Sequence, residues 1–453
     1  MLLRFAAGTA LVLATAARAA DPAPLHHDIR VTLDPKGHRL VVEDTLAWTE
    51  GAHAPSLSEL QRKFAGASLE KRGARAVRVR YAGVIRDRLE HPGEEYSRAF
   101  ATTTGTIEPE GVFLGQNAAW YPAASDERLL TFTMEVTLPA GWDAMSQGRR
   151  TLHERTETGT RVRFEVEEPQ EEIWLVAGPW TETRRVMKDV EAIAMLRTPD
   201  EALAAKYLDA TSPNVAMYTE LLGPHAYGKF ALVENFWDTG YGMPSFTLLG
   251  PSVVRLPFIP TTSYPHEILH DWWGNGVYVD RSKGNWCEGL TAYLADHMVQ
   301  EQRGVAASYR QETLQKYADY VARSKDFALA SFHERHSAAT EAVGYGKALM
   351  VFHMIRRDIG DEAFAGALRA FYGEWRFRRA SWADLRRAFE KASGKSLAGW
   401  LDAWVQRVGA PTLKLGETKA EKSAAGWRLT GTLRQTQPQD AFPLSIPVAI
   451  TLE

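Results

Sequence analysis

Two histidines four residues apart, with a glutamate directly after the first, form the segment His266-Glu267-Ile268-Leu269-His270, and a further carboxylate, Glu288, opens the next apolar segment. On a helix, residues i and i+4 lie one above the other, so both imidazoles can face one point. Glu267 stands about 100° round the axis from His266, placed to reach a water beside an ion rather than the ion itself. Two nitrogen ligands, one oxygen ligand and a general base are the parts a hydrolytic zinc site needs. A core helix with two hydrogen-bonded histidines has the same local sequence. Asn285-Trp286-Cys287-Glu288 likewise reads as an N-cap with a capping-box carboxylate three residues on. Cap and ligand are compatible, because a first-turn position fixes where the carboxylate points.

The elements that position these residues follow from pattern. Pro265 suits the first turn of the histidine helix and Gly274-Asn275-Gly276 its end. Upstream, from His27 to Arg185, alternating segments such as Ile29–Thr32, Leu129–Leu138 and Val162–Val166 are separated by turn residues and predict strands. From Asp189 the period becomes helical, with short strands at Phe230–Glu234 and Ser245–Leu249 and long amphipathic stretches at Ala306–Ser324, Lys347–Asp358, Glu362–Trp375 and Trp382–Ala392. Ser381 and Asp384 mark the start of the last of these, and Gly394 its end. After Gly409-Ala410-Pro411 the pattern returns to β at Thr412–Leu415, Trp427–Leu433 and Ile446–Leu452. The expected fold class is multidomain α+β: an N-terminal β-sandwich-like domain over 21–188, a mostly α catalytic domain over 189–409 and a small C-terminal β region over 410–453.

Composition narrows the partners. A chain of 453 residues with 45% hydrophobic and 24% charged residues is globular, and its net charge of −3 gives no basis for a nucleic acid or an anionic membrane as partner. Residues 1–20 read as a signal peptide, with Arg4 as basic flank, Phe5–Ala17 as apolar stretch and Ala17-Arg18-Ala19 as cleavage pattern. Export to the periplasm or medium is therefore expected, with no integral membrane segment after cleavage, since no other segment reaches about 18 uninterrupted apolar residues. Cys287 is the single cysteine, which rules out an intramolecular disulfide and a Cys-rich zinc site; it reads as a small buried packing residue, with a redox or inhibitory thiol beside the metal as the alternative. His26-His27 reads as part of a mobile tail.

The run from His266 to Asn275, continued by Trp286-Cys287-Glu288-Gly289, resembles the gluzincin metallopeptidases of the aminopeptidase N and leukotriene-A hydrolase family. That family's pattern is H-E-x-x-H-x-W-x-G-N followed by W-x-x-E-G, and Trp272, Gly274 and Asn275 fall on it. Gly344-Tyr345-Gly346-Lys347-Ala348 is similar to its Y-E-K-G segment, while Trp120-Tyr121-Pro122 and Ser146-Gln147-Gly148 echo its N-terminal β-domain. The resemblance implies a thermolysin-like catalytic domain and one zinc ion per chain, with His266, His270 and Glu288 as ligands, Glu267 as general base and Tyr345 as oxyanion donor. A peptide would be the substrate, and aminopeptidase activity the family default. Asp296, about two helical turns beyond Glu288, is a candidate for orienting a liganding imidazole. His333-Glu334-Arg335-His336 is a candidate lining of the cleft.

Two departures bear on this. Seventeen residues separate His270 from Glu288, one fewer than the family's usual spacing, which reads as a local deletion. In addition, Gly240-Tyr241-Gly242-Met243-Pro244-Ser245 corresponds to the G-x-M-E-N strand, so Tyr241, Gly242 and Met243 are candidate substrate contacts, but Pro244 occupies the place of the glutamate that anchors the substrate's amine. Proline can neither pair with an ammonium nor donate a backbone bond. Glu234, Asp238 and Gln116 are possible substitutes, each with an ordinary structural role as the simpler account. Hence an endopeptidase or a peptidase for modified N-termini stands beside the aminopeptidase, and an inactive zinc-containing scaffold that captures peptides is the alternative from another class.

Overall fold

The computed structural model describes residues 23–447 except 51, 53, 92–100, 125–127, 189, 322–324 and 425. The signal segment expected at 1–20 and most of the strand expected at Ile446–Leu452 lie outside the described residues.

Strand Leu25–Asp34 is buried at every second residue, as a strand with one face on a core requires. It pairs antiparallel with Arg39–Ala47 and parallel with Leu130–Pro139, near the middle of a seven-stranded sheet. His27 is thus not in a mobile tail: it is fully buried in that strand, with Nδ1 2.8 Å from the Asp44 carboxylate. Four further strands, Gly105–Glu108, Gly111–Leu114, Leu175–Gly178 and Asp143–Met145, form a second sheet. The apolar side chains of both sheets share one core cluster, which completes a β-sandwich.

A five-stranded sheet stands between this sandwich and the helices. Its order is Thr181–Val186, Glu191–Leu196, Lys229–Glu234, Phe246–Leu249 and Gly240–Met243, the last being an edge. Alternate residues divide between two cores. Ala192, Ala194, Phe230 and Leu232 face the helices, whereas Ile193, Met195, Ala231 and Val233 join the sandwich core. Burial on both faces explains why Phe230–Val233 is a continuous apolar run rather than an alternating one. Strand Thr181–Val186 carries this sheet back across the boundary expected at 188, since it pairs with Glu191–Leu196 over its whole length. Fully buried Lys229 ties the two parts together, donating to Ser146 O at 2.8 Å and Ser245 Oγ at 2.5 Å.

The helical part opens with Glu201–Leu222, capped by Asp200 through its bond from Leu203 N. The capping box at Ser381/Asp384 and the left-handed Gly394 bound helix Trp382–Ser393 as expected. At the C-terminal end, Leu413–Ser423 and Gly426–Gln435 form a two-stranded antiparallel hairpin, so the described part of the C-terminal β region is a hairpin rather than a three-stranded sheet. Among the described residues no helix is long and apolar enough to cross a membrane.

Candidate active site

The histidines sit on a short helix, Ser263–Leu269, with His270 as its C-cap. The helix is held from several sides. Tyr264 hydroxyl lies 2.8 Å from Thr211 on the long helix, and Trp272 Nε1 donates to Gly223 O at 3.1 Å. Buried Asp271 accepts from Ser245 N and from His225 Nε2, both at 2.8 Å, which locks the helix end to the turn after the edge strand. That turn is built by Pro244 and Ser245, the latter at φ +67°, a corner conformation for which proline is a suitable predecessor. Pro244 therefore has a backbone role where the family pattern has a carboxylate.

Glu288 lies in the first turn of helix Cys287–Ala292. The capping box read from Asn285 and Glu288 does not form. Asn285 Oδ1 instead accepts from Cys287 N at 2.9 Å, and Trp286, without a side-chain cap, is the N-cap residue. The Glu288 carboxylate is thereby free to face the histidines, and the shorter spacing does not misplace it. Its Oε2 is 3.6 Å from His266 Nε2 and 3.7 Å from His270 Nε2. Each imidazole uses its other nitrogen elsewhere: His266 Nδ1 on the Asp296 carboxylate at 3.1 Å, His270 Nδ1 on Trp273 O at 3.0 Å. With the protons on Nδ1, both Nε2 atoms present lone pairs. Glu288 Oε2 is buried and without a hydrogen-bond partner. Three lone-pair atoms within 4.8 Å of one another and no shared proton donor fit a cation, and two imidazoles with one carboxylate and an open side are a donor set for catalytic zinc.

Asp296 reaches His266 because the Glu288 helix does not stay α. It passes into a π-turn over Tyr293–His297, and a continuous α-helix would leave Asp296 about 80° off the Glu288 face. The wider turn advances less per residue and closes that offset. Burial alone would lower the proton affinity of His266; Asp296, followed by Glu288, more than reverses this and raises it well above the ordinary value. Burial also opposes ionisation of Glu288, yet His270 and His266 hold its carboxyl down at about 2. Asp296→Asn should weaken zinc affinity about 10–100-fold, as loss of an outer partner to a metal-bound imidazole does. Competition with a chelator measures this, and unchanged affinity would remove Asp296 from the metal centre.

Glu267 points into the same cleft; burial raises its carboxyl, an effect moderated by His270 and His266. Gly242 of the edge strand passes so close that no side chain fits between it and Glu267 or His270. A second π-turn, Ala342–Lys347, carries Tyr345, whose ring stacks on His266 at 6.2 Å and 14°. Burial, then the Glu288 charge, keeps the Tyr345 hydroxyl far above its ordinary value, so it remains protonated. Arg335 lies 5.8 Å from the centre of the Tyr345 ring, so part of the His333–His336 segment does line the cleft. Cys287, beside Glu288, is buried, and burial first of all keeps its thiol protonated, in keeping with a packing role.

Two chambers meet at this point, one of about 1040 Å³ and one of about 670 Å³, sharing His266, Glu267, Tyr241 and Tyr345. Gly242 and Met243 line the larger one together with residues of the β-sandwich, among them Glu172 and Trp174. Of the possible amine anchors, Glu234 is occupied by Arg255 at 2.6 Å and Arg197 N at 2.8 Å, and Asp238 by Ser252 N at 2.9 Å. Glu234, Asp238 and Gln116 border neither chamber. A second convergent group, Asp143, His153 and Glu182, is already neutralised by Arg150, which grips Glu182 at 2.6 and 2.8 Å, and by Arg155 on Asp143.

The fold is similar to that of solved M1 zinc metallopeptidases, and the donor set suits one zinc ion. More particularly, residues 262–404 match the Peptidase family M1 domain, so the resemblance stated from the sequence holds. Aminopeptidase N of Lactococcus lactis subsp. lactis is 26% identical over 157 residues, covering 33% of this chain and 18% of the relative. Human glutamyl aminopeptidase is 20% identical over 318 residues, covering 64% of this chain and 33% of the relative. The chain spans about a fifth of the length of the first curated relatives it matches. Among solved structures, an M1 zinc metallopeptidase from Deinococcus radiodurans superposes with a TM-score of 0.61 at 18% identity, covering 85% of this chain and 95% of that one. A variant of that enzyme bound to a Tyr-Ser-Ala substrate superposes at 0.60 and 17% identity, over 86% of this chain and 95% of that one.

Proposed function

We propose that this protein is an exported zinc-dependent metallopeptidase that removes residues from the free amino end of peptides. The observation that carries the peptidase reading is the convergence of His266 Nε2, His270 Nε2 and the unpartnered Glu288 Oε2 beside Glu267 and Tyr345. When bound, zinc supplies Lewis-acid polarisation of the scissile carbonyl and lowers the pKa of the attacking water. Glu267, its carboxyl raised by burial, takes the water's proton and passes it to the departing amine. Tyr345, held protonated, donates to the carbonyl oxygen as that atom gains charge. Along the edge strand, the backbone of Tyr241, Gly242 and Met243 offers hydrogen bonds to an extended peptide.

Aminopeptidase N of Lactococcus lactis and human glutamyl aminopeptidase are among the curated relatives matched, and their names support action at a free N-terminus. Two observations favour an endopeptidase, or a peptidase for modified N-termini, as second reading: Pro244 removes the strand carboxylate, and there is space on both sides of the metal centre. The test is a peptide and its N-acetylated twin given to the zinc-loaded protein. The free peptide should be cleaved about tenfold faster or more, the worth of one charged hydrogen bond, and a zinc chelator should abolish both reactions. Faster cleavage of the acetylated twin would select the second reading. Export rests on residues 1–20 and is checked by finding the processed chain outside the cytoplasm.

A further inference from the structure

We infer that Glu172, on the β-sandwich side of the larger chamber, receives the α-ammonium group of the substrate in place of the carboxylate that Pro244 replaces. This rests on the exopeptidase reading above. Glu172 is picked out by what the other acids facing that chamber are doing. Glu267 and Glu288 belong to the metal centre, and Glu171 is paired with Arg379 at 2.7 Å. Asp87 accepts from Thr104 at 2.6 Å on the exposed rim, where Glu90 and Glu334 also lie. Glu172 is half-buried and makes no ion pair among the described residues; it accepts from the Gln116 backbone N–H at 3.0 Å, and Arg281, on the same chamber, acts on it only from beyond ion-pair distance.

The segment carrying it is built to stay in place. Gln147 binds it twice, donating from Nε2 to Glu172 O at 2.5 Å and accepting from Trp174 N at 3.0 Å. Ser146 Oγ donates to Trp174 O at 2.6 Å, and Ile173 N donates to the Tyr121 hydroxyl at 3.0 Å. These clamps come from the Trp120-Tyr121-Pro122 and Ser146-Gln147-Gly148 segments, so both help to fix residues 172–174. A carboxylate fixed on a rigid element, lining the same chamber as the metal ligands and without a directly paired cation among the described residues, is placed to take an ammonium. Burial raises its carboxyl to about 7, tempered by the Gln116 N–H, so an arriving ammonium would restore the ionised form. Beside it, Trp174, Phe113 and Tyr241 form an aromatic wall, with ring centres 5.6 Å apart for Phe113 and Trp174 and 6.0 Å for Phe113 and Tyr241. Gly115 lets the indole lie against the backbone, as a Cβ there would meet the Trp174 ring at 2.5 Å. The substrate class is accordingly a peptide with a free amino end and a bulky apolar first side chain.

The experiment compares kcat/KM of the zinc-loaded parent, Glu172→Gln and Glu172→Asp proteins on Leu-Ala-Ala-Ala and on its N-acetylated twin. Glu172→Gln should lose about 10- to 100-fold on the free peptide, mainly through KM. Its slower cleavage of the acetylated twin and its zinc content should match the parent. Glu172→Asp, which keeps the carboxylate and its bond from Gln116 N–H within reach, should fold if the glutamine variant does not, and should lose about tenfold on the free peptide. A parent that prefers the free peptide, with variants equal to it, overturns Glu172 as anchor and leaves the exopeptidase reading standing. A parent that cleaves both peptides equally overturns that reading, and this inference with it.

Discussion

Glu267→Gln should lower kcat about 10³-fold or more while leaving zinc content and the melting temperature intact. A general base is worth about 10²–10⁴-fold, and glutamine keeps the shape of the side chain while removing its basicity. No hydrogen bond that orients the metal centre involves Glu267: His266 is oriented by Asp296, His270 by Trp273 O, and Glu288 faces both. The carboxyl is also raised by burial, so neutralising it removes a desolvation cost, and the variant should be no less stable than the parent. Zinc analysis and thermal melts separate this from collapse of the site, and turnover of a peptide panel measures the chemistry. Parent-like turnover would return Glu267 to the status of a structural carboxylate and favour the scaffold alternative.

The residues behind that prediction were legible because helical spacing is local. His266 and His270 face one point for reasons contained in five residues, and the structure places them so. Glu288 was legible as a first-turn carboxylate and, through the resemblance, as the third ligand; only the capping box was misread, since Asn285 caps Cys287 N and the carboxylate turns to the histidines. Tyr345 became legible only through resemblance, since neither its π-turn nor its stacking on His266 has a sequence period. Asp296 was half legible, for spacing suggested the face and the π-turn supplies the remaining rotation. Glu172 was illegible in principle. Its environment is assembled from residues 116, 121, 146–147 and 172–174, which meet only when the sandwich closes. The reach of the middle sheet back past residue 188 was illegible for a related reason. Alternation tells that Thr181–Val186 is a strand, and not which sheet it joins.

Close approach of backbone to site gives the other large effect, at Gly242. A Cβ there would stand 2.6 Å from Glu267 Oε2, 2.8 Å from His270 Cδ2 and 3.3 Å from His270 Cβ. The carboxylate end of Glu267 can swing aside, at the expense of its aim. The imidazole has less freedom, because Trp273 O holds its Nδ1 and its Nε2 must stay aimed at the position a zinc ion would take. Nor can the strand retreat easily, since its backbone pairs with Phe246–Leu249 and the following turn is held by Asp271 through Ser245 N. Gly242→Ala should therefore displace ligand or base by a few tenths of an ångström or more, with activity falling about 10²-fold and stability by about 1–3 kcal/mol. Gly240, two residues earlier on the same exposed edge, has no atom within 4 Å of its would-be Cβ, so Gly240→Ala should stay near the parent in both. Rates and melts of the two alanine variants, measured side by side, decide whether contact with the metal centre or mere strand propensity matters. Equal behaviour of the two would mean that the edge strand does not press on the site.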